Sequence, residues 1–220
     1  MIVAIHQPNY IPYYGYFHKI RQCDVFVFLD NVKYTKNGFI NRNRIKTPKN
    51  VSWLTVPVQG EGLINTEIRE VKISNATDWQ ERHWNTLKFN YGKAKHFSEY
   101  QESFKEVYNK KWIYLADLNK FLVKEICSLL VIKGEFIDAS GLNVSGNKTD
   151  LIINICDALG ADTYLSGQGA KGYLEEDKFR LHGIDLRYQK FEHPIYKQLF
   201  GEFTPNLSII DMMFNEGKFL

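Results

Sequence analysis

Apolar residues arrive in short blocks near the start of the chain and at helical spacing further on. Residues 1–5 form a short buried strand, closed by the polar, proline-punctuated run His6-Gln7-Pro8-Asn9-Tyr10-Ile11-Pro12. Residues 15–20 open a short helix, and 24–30, rich in β-branched and aromatic side chains, read as a second strand. Strand, loop, helix, strand is the start of an α/β unit. Residues 31–50 read as a loop dense in Asn, Arg, Lys and Tyr; 52–58 alternates like a strand, with 67–73 as its candidate partner. The pattern then turns helical over 78–91, 98–108 and 113–132, the last with Leu115, Leu118, Leu122 and Ile126 on one face. Leu151, Ile152, Ile155 and Leu159 give a buried stripe to a helix over 148–159, which leads into a strand at 160–165. A helix over 171–179, a strand over 184–191 and an ordered polar-aromatic loop over 193–203 complete the series. The expected fold class is α/β, a mainly parallel sheet flanked by helices in a single domain spanning 1–220, with a helical insertion or subdomain around 78–132.

Composition narrows the class. Of 220 residues, 44% are hydrophobic and 24% charged, as in an ordinary globular protein and unlike a disordered one. No apolar run approaches the roughly 18 residues of a membrane span. The chain passes directly from Met1 into Ile-Val-Ala-Ile with no basic lead, so a cytoplasmic protein is expected. The net charge of +3 is too small to imply a nucleic-acid partner, and none is expected, because the basic residues are local. Cys23, Cys127 and Cys156 form no CxxC pair, and no His, Asp or Glu cluster has metal-ligand spacing. Neither a disulfide framework nor a metal site is expected. Aromatic residues reach 15%, many of them tyrosines beside Asn, Pro, Gly and Arg, a mixture that suits an amphipathic pocket and also an ordinary core.

Four polar segments each follow an expected strand. In open α/β sheets, ligands bind beyond the carboxyl ends of the strands. His6 there is a candidate general base, with Gln7, Asn9 and Tyr10 as substrate-orienting groups; the same residues also suit a turn whose backbone they satisfy. Asp30, Tyr34, Asn41, Arg42 and Lys46 form the second segment, where Arg offers a bidentate fork and Lys a point charge to phosphate or carboxylate. A solvated basic loop is the plain alternative. In the third, Ser166, Gly167, Gly169 and Lys171 lie in a glycine-rich strand-to-helix turn that permits close backbone approach to an anion. It is neither a Walker A loop nor a GxGxxG fingerprint, and Ser166 lacks the spacing of a hydrolase elbow. The fourth carries His193, a second candidate base, and Tyr196. If the strands are parallel, all four segments meet on one edge of one sheet.

The residues then become recognisable. IHQPNYIPYYGYFHKI at 5–20, FLDNVKYTKNGFINRNRIKTP at 28–48, WLTVPV at 53–58 and HW at 83–84 resemble the WbqC-like protein family. So do TDLIINICDALGADTYLSGQGAKGYL at 149–174 and the tail from FEHPIY at 191–196 to FTPNLSIIDMMFNEG at 203–217. The resemblance spans nearly the whole chain, with Tyr13-Tyr14 where a Trp is expected before the glycine. It implies a cytoplasmic step in O-antigen or other surface-polysaccharide biosynthesis, on an activated sugar. A fainter likeness links the opening strand and loop to HxGH nucleotidyltransferases and pantothenate-synthetase-like ligases, whose two histidines Tyr13-Tyr14-Gly15-Tyr16 replaces.

The expected activity is acyl or aminoacyl transfer to a nucleotide-linked amino sugar. In that reading His6 or His193 frees the nucleophile, Arg42 and Lys46 hold diphosphate with help from the Gly167–Gly169 backbone, and Tyr10 and Tyr34 pack a ring. The alternative is a non-catalytic nucleotide-sugar-binding protein or glycosyltransferase partner. The sugar, the donor, any cofactor and the oligomeric state are left open by the sequence.

Overall fold

The computed structural model of the chain describes residues 1–60 and 63–219. In chain order its elements are β1 (Ile2–His6), α1 (Tyr14–Ile20), β2 (Val25–Phe28), β3 (Arg42–Lys46), β4 (Val51–Thr55), α2 (Trp79–Tyr91), α3 (Phe97–Asn109) and α4 (Leu115–Leu129). There follow β5 (Glu135–Asp138), α5 (Lys148–Leu159), β6 (Thr163–Ser166), α6 (Glu176–Leu181), β7 (Asp185–Tyr188) and α7 (Ile209–Glu216). They divide into two compact units. A sheet unit takes 1–8, 15–32 and 132–192; a helical unit takes 9–14, 33–131 and 193–220.

The sheet unit holds five parallel strands in the order β5-β2-β1-β6-β7, flanked by helices, which makes the fold α/β. Period-two alternation decides which side chain goes where. Val3, Ile5, Val25 and Val27 point to the face covered by Ile152, Ile155 and Cys156 of α5 and Phe179 of α6. Phe26 and Phe28 turn to the other face, where Phe136 stacks on Phe28 with centroids 5.6 Å apart and Tyr16 lies 5.2 Å from Phe26. Helix α5 ends because Gly160, at φ +65°, adopts the left-handed conformation that closes its last turn, with Ala161 N–H donating to the Cys156 carbonyl at 2.9 Å.

In the helical unit, α2, α3 and α7 meet around Phe214, whose ring lies 5.0 Å from Phe97, 5.4 Å from Tyr91 and 5.5 Å from Phe104. Ser208 caps α7, its hydroxyl accepting from Ile210 N–H at 3.4 Å. The expected helices at 78–91, 98–108 and 113–132 are α2, α3 and α4.

Three expectations are corrected. The loop at 31–50 contains β3, and β4 pairs with it rather than with 67–73, which holds a short 3₁₀ turn at Ile68–Glu70 and isolated bridges from Glu67 to Lys33, Lys72 to Tyr114 and Ile73 to Val58. The alternation of β3 is hidden because one inward residue, Asn43, is polar: its side-chain amide donates to the carbonyls of Tyr10 and Ile11, at 3.2 and 2.8 Å. The helix expected at 171–179 starts five residues later, as α6, after a 3₁₀ turn at Gln168–Ala170. Its onset follows the acidic pair Glu176 and Asp177, which suits a helix N-terminus, rather than the glycine-rich run before it. Strand β5 and helix α7 were not anticipated; β5 is four half-buried or exposed residues with no clear alternation.

Candidate functional site

Strand order in the sheet unit reverses at its centre. From β1 the chain passes through α1 to β2 on one side, and from β6 through α6 to β7 on the other. At such a switch point the two loops diverge and leave a crevice beyond the carboxyl ends of the strands. His6 ends β1 and Ser166 ends the neighbouring parallel strand β6. His6, Gln7, Ser166, Gly167 and Gly169 therefore lie on the same strand-end edge, at the switch point.

The His6 ring is half-buried. It packs edge-on to Tyr16 with centroids 4.7 Å apart, and its Nδ1–H donates to the Gln7 carbonyl at 3.0 Å. A carbonyl only accepts, so this bond fixes the tautomer and leaves Nε2 as an acceptor. Burial, and then the charge of Lys19, lower the imidazole to about 3. At neutral pH the ring is an uncharged hydrogen-bond acceptor and a weak base. Lys19 is itself 2% exposed, bonded to the Ile5 carbonyl at 3.2 Å, and burial lowers it to about 7.

Gly167 and Gly169 have none of the usual structural reasons to be glycine. Neither adopts a positive φ, and a Cβ built on either meets nothing within 4 Å. Gly141 and Gly172 share both properties, but Gly167 and Gly169 lie just past the end of β6, where they leave room for a group close to the backbone. Ser166 is buried with its hydroxyl on the Gly167 carbonyl at 3.3 Å, and Lys171 is exposed, its ammonium 5.9 Å from the Tyr188 ring centroid. Asp30, at the end of β2, is buried and accepts from the Ser140 amide and hydroxyl at 3.0 and 2.9 Å, so it fastens the loop after β5. Gln189, just past β7 and absent from the sequence reading, donates to the Gly15 carbonyl at 2.9 Å and accepts Gln168 on its own carbonyl at 2.8 Å.

The other expected residues belong to the helical unit, and most are engaged. Asn9 is half-buried ahead of Tyr10. The Tyr10 hydroxyl sits between His83 Nδ1 at 2.8 Å and Tyr108 Oη at 2.6 Å, while His83 Nε2 donates to the Thr55 carbonyl at 3.2 Å. That last bond sets the direction of the chain: Tyr108 donates to Tyr10, and Tyr10 to His83. Burial lowers His83 to about 4, so the chain is neutral. Asn41 donates to the Val56 carbonyl at 3.0 Å, and Tyr34 is buried. The Lys46 ammonium donates to Gln198 Oε1 at 2.7 Å and to the Glu202 carbonyl. His193 is half-buried, its Nδ1–H on the Pro194 carbonyl at 2.9 Å and its ring 5.4 Å from Phe203. The Tyr196 hydroxyl donates to Asp211 at 2.9 Å, and Tyr91 donates to the other oxygen of the same carboxylate at 2.8 Å.

Asp211 is 0% exposed and escaped the sequence reading, although an acid framed by Ile209-Ile210 and Met212-Met213 is the signal of a buried carboxylate. Arg42 donates to the Asn37 carbonyl at 2.6 Å and lies over the exposed ring of Trp53, also unanticipated. Burial pushes the Cys23 and Cys156 thiols up to about 12, which leaves neither a thiolate at neutral pH. Among the described residues no cluster of three or more His, Cys, Asp or Glu side chains is placed to hold a metal ion. No helix among them is long and apolar enough to cross a membrane.

No solved structure gives a significant match to the chain. A protein of Mycobacterium tuberculosis (strain ATCC 25618 / H37Rv) named "Uncharacterized protein Rv1507c" is 39% identical over 217 residues, 98% of this chain and 94% of the relative. The model of the WbqC-like protein family matches residues 7–219, nearly the whole chain, and the chain belongs to that family.

Proposed function

We propose that the protein is a cytoplasmic enzyme of O-antigen or surface-polysaccharide biosynthesis, acting on a nucleotide-linked amino sugar by acyl or aminoacyl transfer. The observation that carries the reading is the reversal of strand order between β1 and β6, with Gly167 and Gly169 beside it as glycines that packing and φ do not require. Phosphate takes the backbone of this glycine turn, with Lys171 as a nearby cation. His6 Nε2 accepts a hydrogen bond from the sugar amine and so turns the amine's lone pair toward the acyl carbon. The amide bond forms as the bond from the acyl carbon to the donor's leaving group breaks, and the amine proton passes to that group or to water. With so weak a base, the gain is orientation more than proton removal. Membership in the WbqC-like family supports the choice of an activated sugar, which the resemblance implies.

The low basicity of His6 also favours a second reading, in which the same edge holds a nucleotide sugar without transforming it. Native mass spectrometry against UDP-, GDP- and dTDP-linked sugars, ATP and coenzyme A tests both. Selective retention of an amino-sugar nucleotide, lost in Gly169→Val, is the expected result. Turnover with an acyl donor that falls in His6→Ala while binding persists identifies the enzyme; binding without turnover identifies the carrier. If no sugar nucleotide binds at millimolar concentration, both readings fail.

A further inference from the structure

The β3–β4 ribbon of the helical unit presents a surface that the sheet-edge reading does not use. Alternation sends Asn43, Ile45 and Leu54 inward and leaves Arg42, Arg44 and Trp53 on the opposite face, with Arg44 directly across from Trp53 in register. Trp53 is 43% exposed and Phe39, whose ring lies 5.8 Å from it, is 45% exposed. The Arg42 guanidinium carbon lies 4.3 Å and that of Arg44 5.8 Å from the centre of the indole. Each guanidinium gives one N–H to a backbone carbonyl, Arg42 to Asn37 and Arg44 to Asn206. Among the described residues neither meets a carboxylate, and the buried Nε of each has no hydrogen-bond partner. The surroundings add to the imbalance: residues 31–60 contain six Lys and Arg and no Asp or Glu.

Two uncompensated guanidiniums converging on one exposed indole match a ligand with a flat ring and adjacent anionic groups. The planar fork of Arg binds phosphate oxygens in pairs, and an indole offers a stacking face worth on the order of 1–3 kcal/mol to a base. The footprint is that of a single nucleotide. A strand-binding groove repeats its aromatic platforms along a track, whereas here both cations and both rings gather about one position. We infer that the Arg42–Arg44–Trp53–Phe39 face is a binding site for a nucleoside diphosphate, its base on the exposed rings and its phosphates on the two guanidiniums. The site is independent of the reading of the sheet edge.

Calorimetric titration with ADP and with UDP, read in parallel with indole fluorescence, tests it. The expected result is saturable binding with quenching. Adenosine fails to bind, the Arg42→Gln/Arg44→Gln double variant weakens the interaction about tenfold or more, and Trp53→Ala abolishes it. Circular dichroism and melting of each variant check that the fold is kept. Trp53→Phe retains binding but loses the quench, since Trp79 and Trp112 are buried and the half-buried Trp84 is stacked on Phe97. Affinity unchanged in the double variant overturns the proposal. So does a (dT)12 oligonucleotide that binds far more tightly than ADP through the same residues, which makes the face a strand-binding surface. If Gly169→Val abolishes ADP binding and the arginine variant does not, the nucleotide belongs to the sheet edge. The present inference then falls while the proposed function stands. An intact quench with no sugar nucleotide retained at the sheet edge gives the reverse outcome.

Discussion

The two units spend their polar side chains differently. In the helical unit, away from the Arg42–Arg44 face, buried polar groups close on one another: Tyr108 to Tyr10 to His83 to Thr55, Tyr91 and Tyr196 on Asp211, Lys46 on Gln198. Such a network is stable because a buried donor or acceptor left without a partner costs about 1–3 kcal/mol. At the strand ends of the sheet unit, His6 keeps a free acceptor nitrogen and two glycines border open space. Residue type alone does not separate the two situations, since His, Tyr, Lys and Asn are common to both. Satisfaction does: a saturated group holds the fold, and an unsaturated one beside room is what a ligand can use.

Substitutions can break this contrast, beginning with the helical unit. Gly217 closes α7 at φ +69°, and a Cβ there overlaps the His96 ring, so Gly217→Ala is expected to cost more than about 3 kcal/mol and to lower soluble yield. Asp211→Ala strands two tyrosyl hydroxyls and is expected to cost roughly 3 kcal/mol in denaturant unfolding, while Asp211→Asn recovers part of it. If Asp211→Ala melts like the parent, the network is not what stabilises this unit.

Acid sharpens the comparison. His6 and His83 have folded values lowered to about 3 and about 4 from the usual 6.5, so below pH 6.5 the unfolded chain binds more protons than the folded one. The histidine contribution is therefore full above pH 6.5 and falls on acidification, by up to about 1.4 kcal/mol per pH unit for each histidine. Urea titrations from pH 7 to pH 4 check the slope, and His83→Gln is expected to flatten it. An effect of the same sign and comparable size comes from Lys19, lowered to about 7 from 10.5: stability rises as pH goes from 7 towards 10. Lys19→Met removes that rise and is expected to stabilise the protein by about 1 kcal/mol at pH 7, provided the methionine fills the same volume. The smallest change is Gly167→Ala, expected within about 0.5 kcal/mol of the parent on melting because its Cβ meets nothing. Loss of stability there would mean that this glycine serves the fold after all.

What the sequence made legible follows the same division. Strands β1 and β2 announce themselves because both faces are buried, so their residues form nearly continuous apolar runs, while β6 is marked by its place after the α5 stripe. The stripe of α5 is equally plain. Strand β3 is not, because its inward Asn43 is polar and its outward residues are charged, which erases the contrast that alternation relies on. At the site, the position of His6 after a strand was readable, since it depends on local order. The fates of Tyr10 and Lys46 were not: their partners His83, Tyr108 and Gln198 lie 73, 98 and 152 residues away, and no local pattern encodes a contact at that range.

The strand order also sets a schedule for folding. Strands β1 and β2 are made early, but their sheet neighbours β5 and β6 follow only after the hundred or so residues beyond Phe28. At a synthesis rate of roughly 5–20 residues per second, the β1–β2 pair waits several seconds with both edges unpaired and apolar on both faces. Such pairing across long sequence separations slows folding and exposes strands to association with other chains. The nascent chain is thus most vulnerable to aggregation in that interval, and expression at lower temperature or with added chaperone should raise the soluble fraction by protecting this pair.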